Sequence, residues 1–221
     1  LGSSLTRESD AVLYTYAGPE IGVASTKAYT AQIAVLSLFA VYLAQLKNQL
    51  NKDSLVKYIN ALKKIPELVE DILKEKEKIA RLARRHSHFG SFLYLGRNIN
   101  YPSALEGALK LKEISYIPAE GYAAGEMKHG PIALIDEYRA VVCIAPRSHI
   151  LEKMVSNIQE IKARRGKIII IASEGEEEIE GQAKEIIYIP KIEELFSPLL
   201  VAIPLQLLAY YIAAKRGCDV D

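Results

Sequence analysis

The chain has 221 residues, half of them apolar and a quarter charged, which is the composition of a globular protein with a core of its own. Its 28 basic residues nearly balance 27 acidic ones. This excludes a nucleic-acid binder held by bulk electrostatics but leaves room for a local anion site. Two isolated cysteines, Cys143 and Cys218, indicate neither a disulfide framework nor a metal site. They favour a reducing, cytoplasmic setting.

The first 88 residues predict one strand followed by long helices. Ala11–Tyr16 has the pattern of a short strand, and the loop 17–27 leads into a helix from about Thr26 to Lys47. Asp53–Arg85 is charged and helical in period, and we expect Pro66 to divide it into two helices. Residues 1–10 lack the basic and apolar segments of a signal peptide.

The remainder alternates strand-like and helix-like segments. The predicted strands are Ser91–Gly96, Val141–Ala145, Lys167–Ala172 and Glu185–Ile189. The predicted helices are Pro102–Tyr116, Ile150–Arg165 with Gly166 as its C-cap, and Phe196–Arg216 stopped by Gly217. Such alternation predicts a three-layer α/β/α fold around a mostly parallel sheet.

The candidate membrane-spanning segments are two apolar runs, Ala28–Leu46 and Leu199–Ala214. The first contains Thr30, Gln32, Ser37 and Gln45, and the second contains Pro204 and Gln206. Both are shorter or more interrupted than the roughly 20 apolar residues of a membrane span. We therefore expect buried helices packed on a sheet and no membrane partner.

A weak internal repeat relates two parts of the chain at an offset of 174 residues. Tyr14, Glu20, Ala28, Gln32 and Ile33 match Tyr188, Glu194, Ala202, Gln206 and Leu207. The second copy has a full set of strands, whereas the first has only its last strand and helix. The pattern predicts a duplicated fold of which the N-terminal portion of the first copy is missing.

Candidate acids and bases concentrate between Leu105 and Pro131. Glu106, Lys110 and Glu113 are spaced by four and three, so they share one helix face. A solvated face with a Glu–Lys pair is the alternative interpretation. The polar loop 118–131 adds Glu120, Glu126, Lys128 and His129, and Glu113 with His129 supplies the carboxylate and imidazole that a sugar isomerase needs. The other three histidines lie in charged, surface-like segments, and the four together lack metal-ligand spacing.

The loop 17–27 is a third candidate element. Ser25 and Thr26 precede a helix, where hydroxyls and free N–H groups can hold an anion or sugar hydroxyls. An ordinary helix N-cap by either residue explains them equally well.

Three segments together resemble a known family: GPEIGVASTKAYTAQ, YPSALEGALKLKEISYIPAEGYAAGEMKHGPIALID and PLQLLAYYIAAKRGCDVD. They are similar to the isomerase half of the glucosamine-6-phosphate synthases, the glutamine–fructose-6-phosphate aminotransferases. The resemblance implies tandem sugar-isomerase (SIS) domains with five-stranded parallel sheets. It divides the chain into the end of a first SIS domain (1–50), a helical connector (51–88) and a second SIS domain (89–221).

The resemblance also implies roles. Glu113 would move a proton between C1 and C2 of an open-chain sugar phosphate, and His129 would open the ring in the site of a neighbouring subunit. Lys110 would order the site, and Val23 and Ser25 would contact the sugar. A homodimer without cofactor or metal is implied.

Several family features are outside this sequence. These are the glutaminase domain, the phosphate-binding loop of the first SIS domain and a C-terminal lysine. Pro118 stands where the family usually has histidine. We therefore expect the 221-residue chain alone to be nearly inactive. An SIS-type amino-sugar-phosphate deaminase or deglycase, and a non-catalytic sugar-phosphate sensor, are the alternatives.

Overall fold

A computed structural model describes residues 2–221 and contains one sheet of five parallel strands. The strands are β1 (Phe92–Gly96), β2 (Ala119–Ala123), β3 (Ala140–Ala145), β4 (Lys167–Ser173) and β5 (Glu185–Ile189), in the order β2-β1-β3-β4-β5. Four of them lie where the sequence predicts strands. The central strands are apolar on both faces, as a sheet covered on both sides requires.

Helices cover both faces of this sheet. They are α1 (Ser4–Glu8), α2 (Lys27–Leu46), α3 (Lys52–Lys74), α4 (Lys76–His86), α5 (Tyr101–Ser115), α6 (Leu151–Ala163) and α7 (Ser197–Lys215). Tyr94 and Ile171 face the core beneath α5 and α7, whereas Leu95 and Ile170 face the core beneath α6. This alternation along each strand confirms the three-layer α/β/α fold.

The fifth strand, β2, lies inside the segment that the sequence analysis treats as a polar loop. Its sequence, AEGYA, is short and only its first residue is buried, so it lacks the apolar run that identifies the other strands. Gly121 explains how it fits. A Cβ at this position would lie 2.8 Å from the backbone of Leu105, so only glycine lets β2 approach α5 this closely.

Two predictions about the N-terminal region are wrong. Residues 11–16 form no strand, because no strand among residues 2–221 lies beside them to share a hydrogen-bond ladder. Pro66 lies inside α3, and the break between α3 and α4 falls at Glu75. Ile65 and Val69 pack against the core on either side of Pro66, which supports the helix through the missing backbone donor.

The two predicted glycine helix stops have different outcomes. Gly217, after α7, has φ +76° as predicted. After α6 the left-handed residue is Arg165, with φ +62°, and not Gly166. Gly166 serves packing instead, since a Cβ there would lie 2.6 Å from the side chain of Ile161.

The two apolar helices differ sharply in their surroundings. Lys27–Leu46 and Glu194–Lys215 are both long and apolar enough to cross a membrane, which by length and composition alone is weak evidence. Of their apolar windows, 67% of the second is buried, as predicted, but only 6% of the first. The prediction that the first helix is buried is therefore wrong for this structure. α7 packs under α5 and the sheet, whereas α2 packs mainly against parts of α3 and α7 and exposes Leu36, Leu38 and Tyr42.

Candidate active site

Helix α5 places a buried ammonium between two carboxylates. Lys110 Nζ lies 2.7 Å from Glu113 Oε2 and 3.5 Å from Glu106 Oε1. The side chain of Lys110 is 4% exposed, that of Glu106 is 11% exposed and that of Glu113 is 30% exposed. The solvated-face interpretation is wrong for Lys110, since its charge is removed from water and neutralised by its neighbours on the helix.

Lys110 also ties α5 to the loop 17–27. Its Nζ donates a hydrogen bond to the backbone carbonyl of Ser25 at 3.2 Å. Gln206 of α7 donates to the carbonyl of the next residue, Thr26, at 3.4 Å. Two helices, α5 and α7, therefore hold the end of this loop. Ser25 is half-buried at the contact, and Val23 is 76% exposed two residues earlier.

Burial perturbs the titration of the site. It raises the pKa of Glu106, and the neighbouring Lys110 opposes that effect. The pKa of Tyr29 rises to about 12 because the phenol is buried and lies near the Glu106 carboxylate. Burial is the larger cause of both shifts.

The start of α2 is capped by a residue that sequence reasoning missed. Glu20 Oε1 accepts hydrogen bonds from the backbone N–H groups of Ala28 at 2.7 Å and Thr26 at 3.2 Å. The first of these bonds is the main reason that the pKa of Glu20 is lowered. Thr26 occupies the N-cap position without a side-chain hydrogen bond. The N–H groups suggested as an anion site are thus partly occupied by Glu20. Its place six residues ahead of the N-cap Thr26 is the only signal in the sequence.

His129 lies at the end of a 3-10 turn, Ala124–His129, that follows β2. Its side chain is 76% exposed, and Nε2 lies 4.0 Å from Glu126 Oε2. Within residues 2–221 the structure records no hydrogen bond or ion pair between His129 and the Glu106–Lys110–Glu113 group. One chain therefore brings together Glu113, Lys110 and Ser25 but leaves His129 at the surface.

Two other histidines have partners that the sequence did not reveal. The sequence around His86 is typical of a surface segment, but the residue is 7% exposed and its Nδ1 lies 3.0 Å from the Leu82 carbonyl. Burial lowers its pKa. His149 Nδ1 lies 2.9 Å from Glu194 Oε2. Among residues 2–221, no three His, Cys, Asp or Glu side chains are grouped to hold a metal ion.

Fold and site together define a parallel α/β/α unit with an acid–base cluster on the helix that follows its first strand. The profile of the SIS domain matches residues 1–42 and 87–216. The chain belongs to the SIS domain family.

Comparison with individual proteins gives a narrower group of relatives than the family does. The chain is 51% identical over 220 residues to a protein named glutamine–fructose-6-phosphate aminotransferase from Thermus thermophilus, and 50% identical over 221 residues to one from Aquifex aeolicus. All of the chain is matched, but it spans only 36% of the length of each relative.

A solved structure shows the same likeness. It is the C-terminal domain of the glucosamine-fructose-6-phosphate aminotransferase of Francisella tularensis, with a TM-score of 0.96 and 43% identity. The match covers 100% of this chain and 62% of that one.

Proposed function

We propose that this chain provides isomerase chemistry for a glutamine–fructose-6-phosphate aminotransferase, which makes glucosamine 6-phosphate from fructose 6-phosphate and ammonia released from glutamine. One observation carries the proposal. Lys110 is 4% exposed and lies between the Glu113 carboxylate and the Ser25 carbonyl, which joins the candidate base to the loop that would hold the sugar. The identity to the aminotransferases of Thermus and Aquifex supports the same substrate class.

The proposed proton transfer assigns the base to Glu113. A carboxylate can take a proton from carbon only where that carbon adjoins a carbonyl or imine, as C1 and C2 do in the open-chain sugar. Glu113 keeps 30% of its side chain exposed, so substrate can reach it, while Lys110 is held behind it. Lys110 would orient the Glu113 carboxylate and order the site, and Val23 and Ser25 would contact the sugar or its amine.

His129 is proposed to open the sugar ring in the site of a second copy of the chain. An imidazole can act as acid and base at neutral pH, which suits ring opening. Its side chain is 76% exposed on the turn after β2. Within residues 2–221, the structure records no hydrogen bond or ion pair between it and Glu106, Lys110 or Glu113. Such exposure suits donation to a neighbour, and we therefore propose a homodimer.

We also propose the division into the end of a first SIS domain (1–50), a helical connector (51–88) and a second SIS domain (89–221). The separate matches to residues 1–42 and 87–216 support it, as does the helical structure of α3 and α4 between them. Because the relatives are nearly three times as long, we expect glutamine-dependent synthesis to need sequence outside residues 1–221.

The proton transfer can be tested by deuterium exchange. The 221-residue chain is incubated with glucosamine 6-phosphate in deuterated buffer, and loss of the C2 proton signal is followed by NMR. We expect slow exchange that Glu113→Gln abolishes. Glu152→Gln, a change at an exposed position on α6, is the matched control and should exchange at the wild-type rate.

Two results would contradict the proposal. Exchange by the wild-type chain no faster than by Glu113→Gln would remove Glu113 as the base. Glutamine-dependent formation of glucosamine 6-phosphate by the purified chain would contradict the division of labour with sequence outside it.

A further inference from the structure

A cavity of about 910 Å³ lies between α3 and the loops that follow β3 and β5, and Glu106, Lys110 and Glu113 of α5 are not part of its lining. These loops leave the carboxyl ends of parallel strands, the edge at which open α/β sheets bind ligands. Its size is in the range of small-molecule sites. One face of α3 closes it, because Lys57, Ala61, Lys64 and Leu68 recur at helical spacing along the lining.

The lining carries an excess of positive charge. Its permanent cations are Lys57, Lys64, Arg147 and Lys191, and its carboxylates are Glu193 and Glu194. Four cations against two carboxylates leave a net charge of +2, before any contribution from His149. A concave surface of one sign concentrates the field of its charges and attracts counter-ions.

The two carboxylates are already engaged. Glu193 Oε2 lies 2.9 Å from Lys57 Nζ. Glu194 accepts a hydrogen bond from the backbone N–H of His149 at 3.2 Å and contacts its ring at 2.9 Å. Glu194 therefore occupies an N–H group of the loop ahead of α6, which begins at Leu151. We attribute the attraction for an anion to the side chains of the lining.

The other cations are weakly paired. Arg147 and Lys191 lie 4.0 Å and 3.8 Å from the same oxygen of Glu176, both at the limit of an ion pair. Lys64 has no carboxylate within 4.0 Å in the part of the chain that the structure describes. Three cationic side chains around one cavity thus keep donors available to a ligand.

The neighbouring cavity gives a comparison within the same molecule. It measures about 1150 Å³, runs along α3, α4 and β5, and shares Leu68 and Lys191 with the first. Six cations there face five carboxylates, and Arg85 is bound by both oxygens of Glu185 at 2.9 Å and 2.6 Å. The second cavity therefore lacks the marked cation excess of the first.

We propose that the first cavity binds the phosphate group of a small phosphorylated ligand, through Lys64, Arg147 and Lys191. The Arg147 guanidinium can form paired hydrogen bonds to phosphate oxygens, and the two ammonium groups add point charges. Asn60 lines the same cavity and offers an amide for the rest of the ligand. The site is separate from the sugar site proposed at Glu113, since the two share no residue.

Isothermal titration of the 221-residue chain with pyrophosphate and, separately, with glucose 6-phosphate tests this. We expect saturable binding at one site for at least one probe. Tighter binding of glucose 6-phosphate assigns a phosphomonoester, and tighter binding of pyrophosphate assigns a diphosphate. Lys64→Gln should weaken binding about five- to tenfold, the loss expected for one charge-assisted contact near solvent. Lys63→Gln removes the adjacent exposed lysine of α3, which does not line the cavity, and should leave the affinity unchanged.

Two outcomes would overturn the proposal. One is the absence of saturable binding for both probes. The other is an equal loss of affinity in Lys63→Gln and Lys64→Gln, since that would reduce binding to the overall charge of α3. Circular dichroism of both variants verifies that each is folded when it is titrated.

Discussion

Replacing Lys110 by Met tests how far the carboxylates of α5 depend on one ammonium group. Methionine keeps the length and most of the volume of the side chain, so the change removes charge and leaves no large cavity. The side chain of Lys110 is 4% exposed and lies 2.7 Å and 3.5 Å from oxygens of Glu113 and Glu106. The variant leaves two carboxylates on one helix face without their shared counter-ion.

The expected loss follows from these distances. At an effective dielectric constant of about 20, the two contacts are worth roughly 6 and 5 kcal/mol before desolvation. Burying the ammonium offsets most of that gain. Removing one partner from a buried group is costly because the remaining charges stay uncompensated, and we expect a loss of about 3 kcal/mol in the free energy of unfolding at pH 7.

Urea unfolding followed by circular dichroism measures the loss. Because burial already raises the pKa of Glu106 above its usual 4.5, the carboxyl of the variant should take up a proton readily in the folded state. The deficit should therefore be complete at neutral pH and shrink as the pH falls toward 4.5. Lys112→Met, an exposed change on the same helix, should lie within about 0.5 kcal/mol of wild type. If the Lys110 and Lys112 variants were equally stable at pH 7, the ammonium would not be neutralising the two carboxylates.

Three further changes have definite outcomes. The lowered pKa of His86 means that its contribution to stability is present above pH 6.5 and is lost as the pH falls through 6.5 toward the folded-state value. Thermal melting against pH should show this slope, at most about 1.4 kcal/mol per pH unit, and His86→Gln should flatten it. Gly121→Ala should cost about 2 kcal/mol in urea unfolding, because its Cβ meets backbone of α5; an unchanged midpoint would mean that β2 can move away. The exposed apolar face of α2 should make the chain self-associate, and Leu36→Lys with Phe39→Lys should lower the mass measured by sedimentation without lowering the melting temperature.

Elements with strong patterns could be predicted from sequence. The β-branched apolar run KIIIIA predicts a covered strand, and it forms β4, which lies between β3 and β5 and is buried from Ile168 to Ser173. Spacing by four and three placed Glu106, Lys110 and Glu113 on one face of α5, where the structure has them. In each case the pattern is local, so residues close together in the chain carry the whole signal.

Features that depend on distant contacts could not be predicted. Lys110, which is buried, donates a hydrogen bond to the carbonyl of Ser25, which is 85 residues away in the chain. The sequence of β2 has too few apolar residues to predict a strand. Its place beside β1 depends on the close approach of Gly121 to α5. Pro66 shows the converse, since a local helix-breaking signal is overridden by packing on both sides of it.

The repeat at an offset of 174 residues shows that two helices of similar sequence can differ in burial. Helices α2 and α7 are similarly apolar, yet one has 6% of its window buried and the other 67%. Glu20 and Glu194 correspond in the repeat, but Glu20 caps α2 itself while Glu194 binds His149 ahead of α6. In the second copy, a sheet and helix α5 cover α7. Within residues 2–221, no corresponding sheet and helix cover α2. The proposed first SIS domain supplies a reason for α2 to resemble α7, because a helix this apolar becomes stable in water only when a comparable surface covers it.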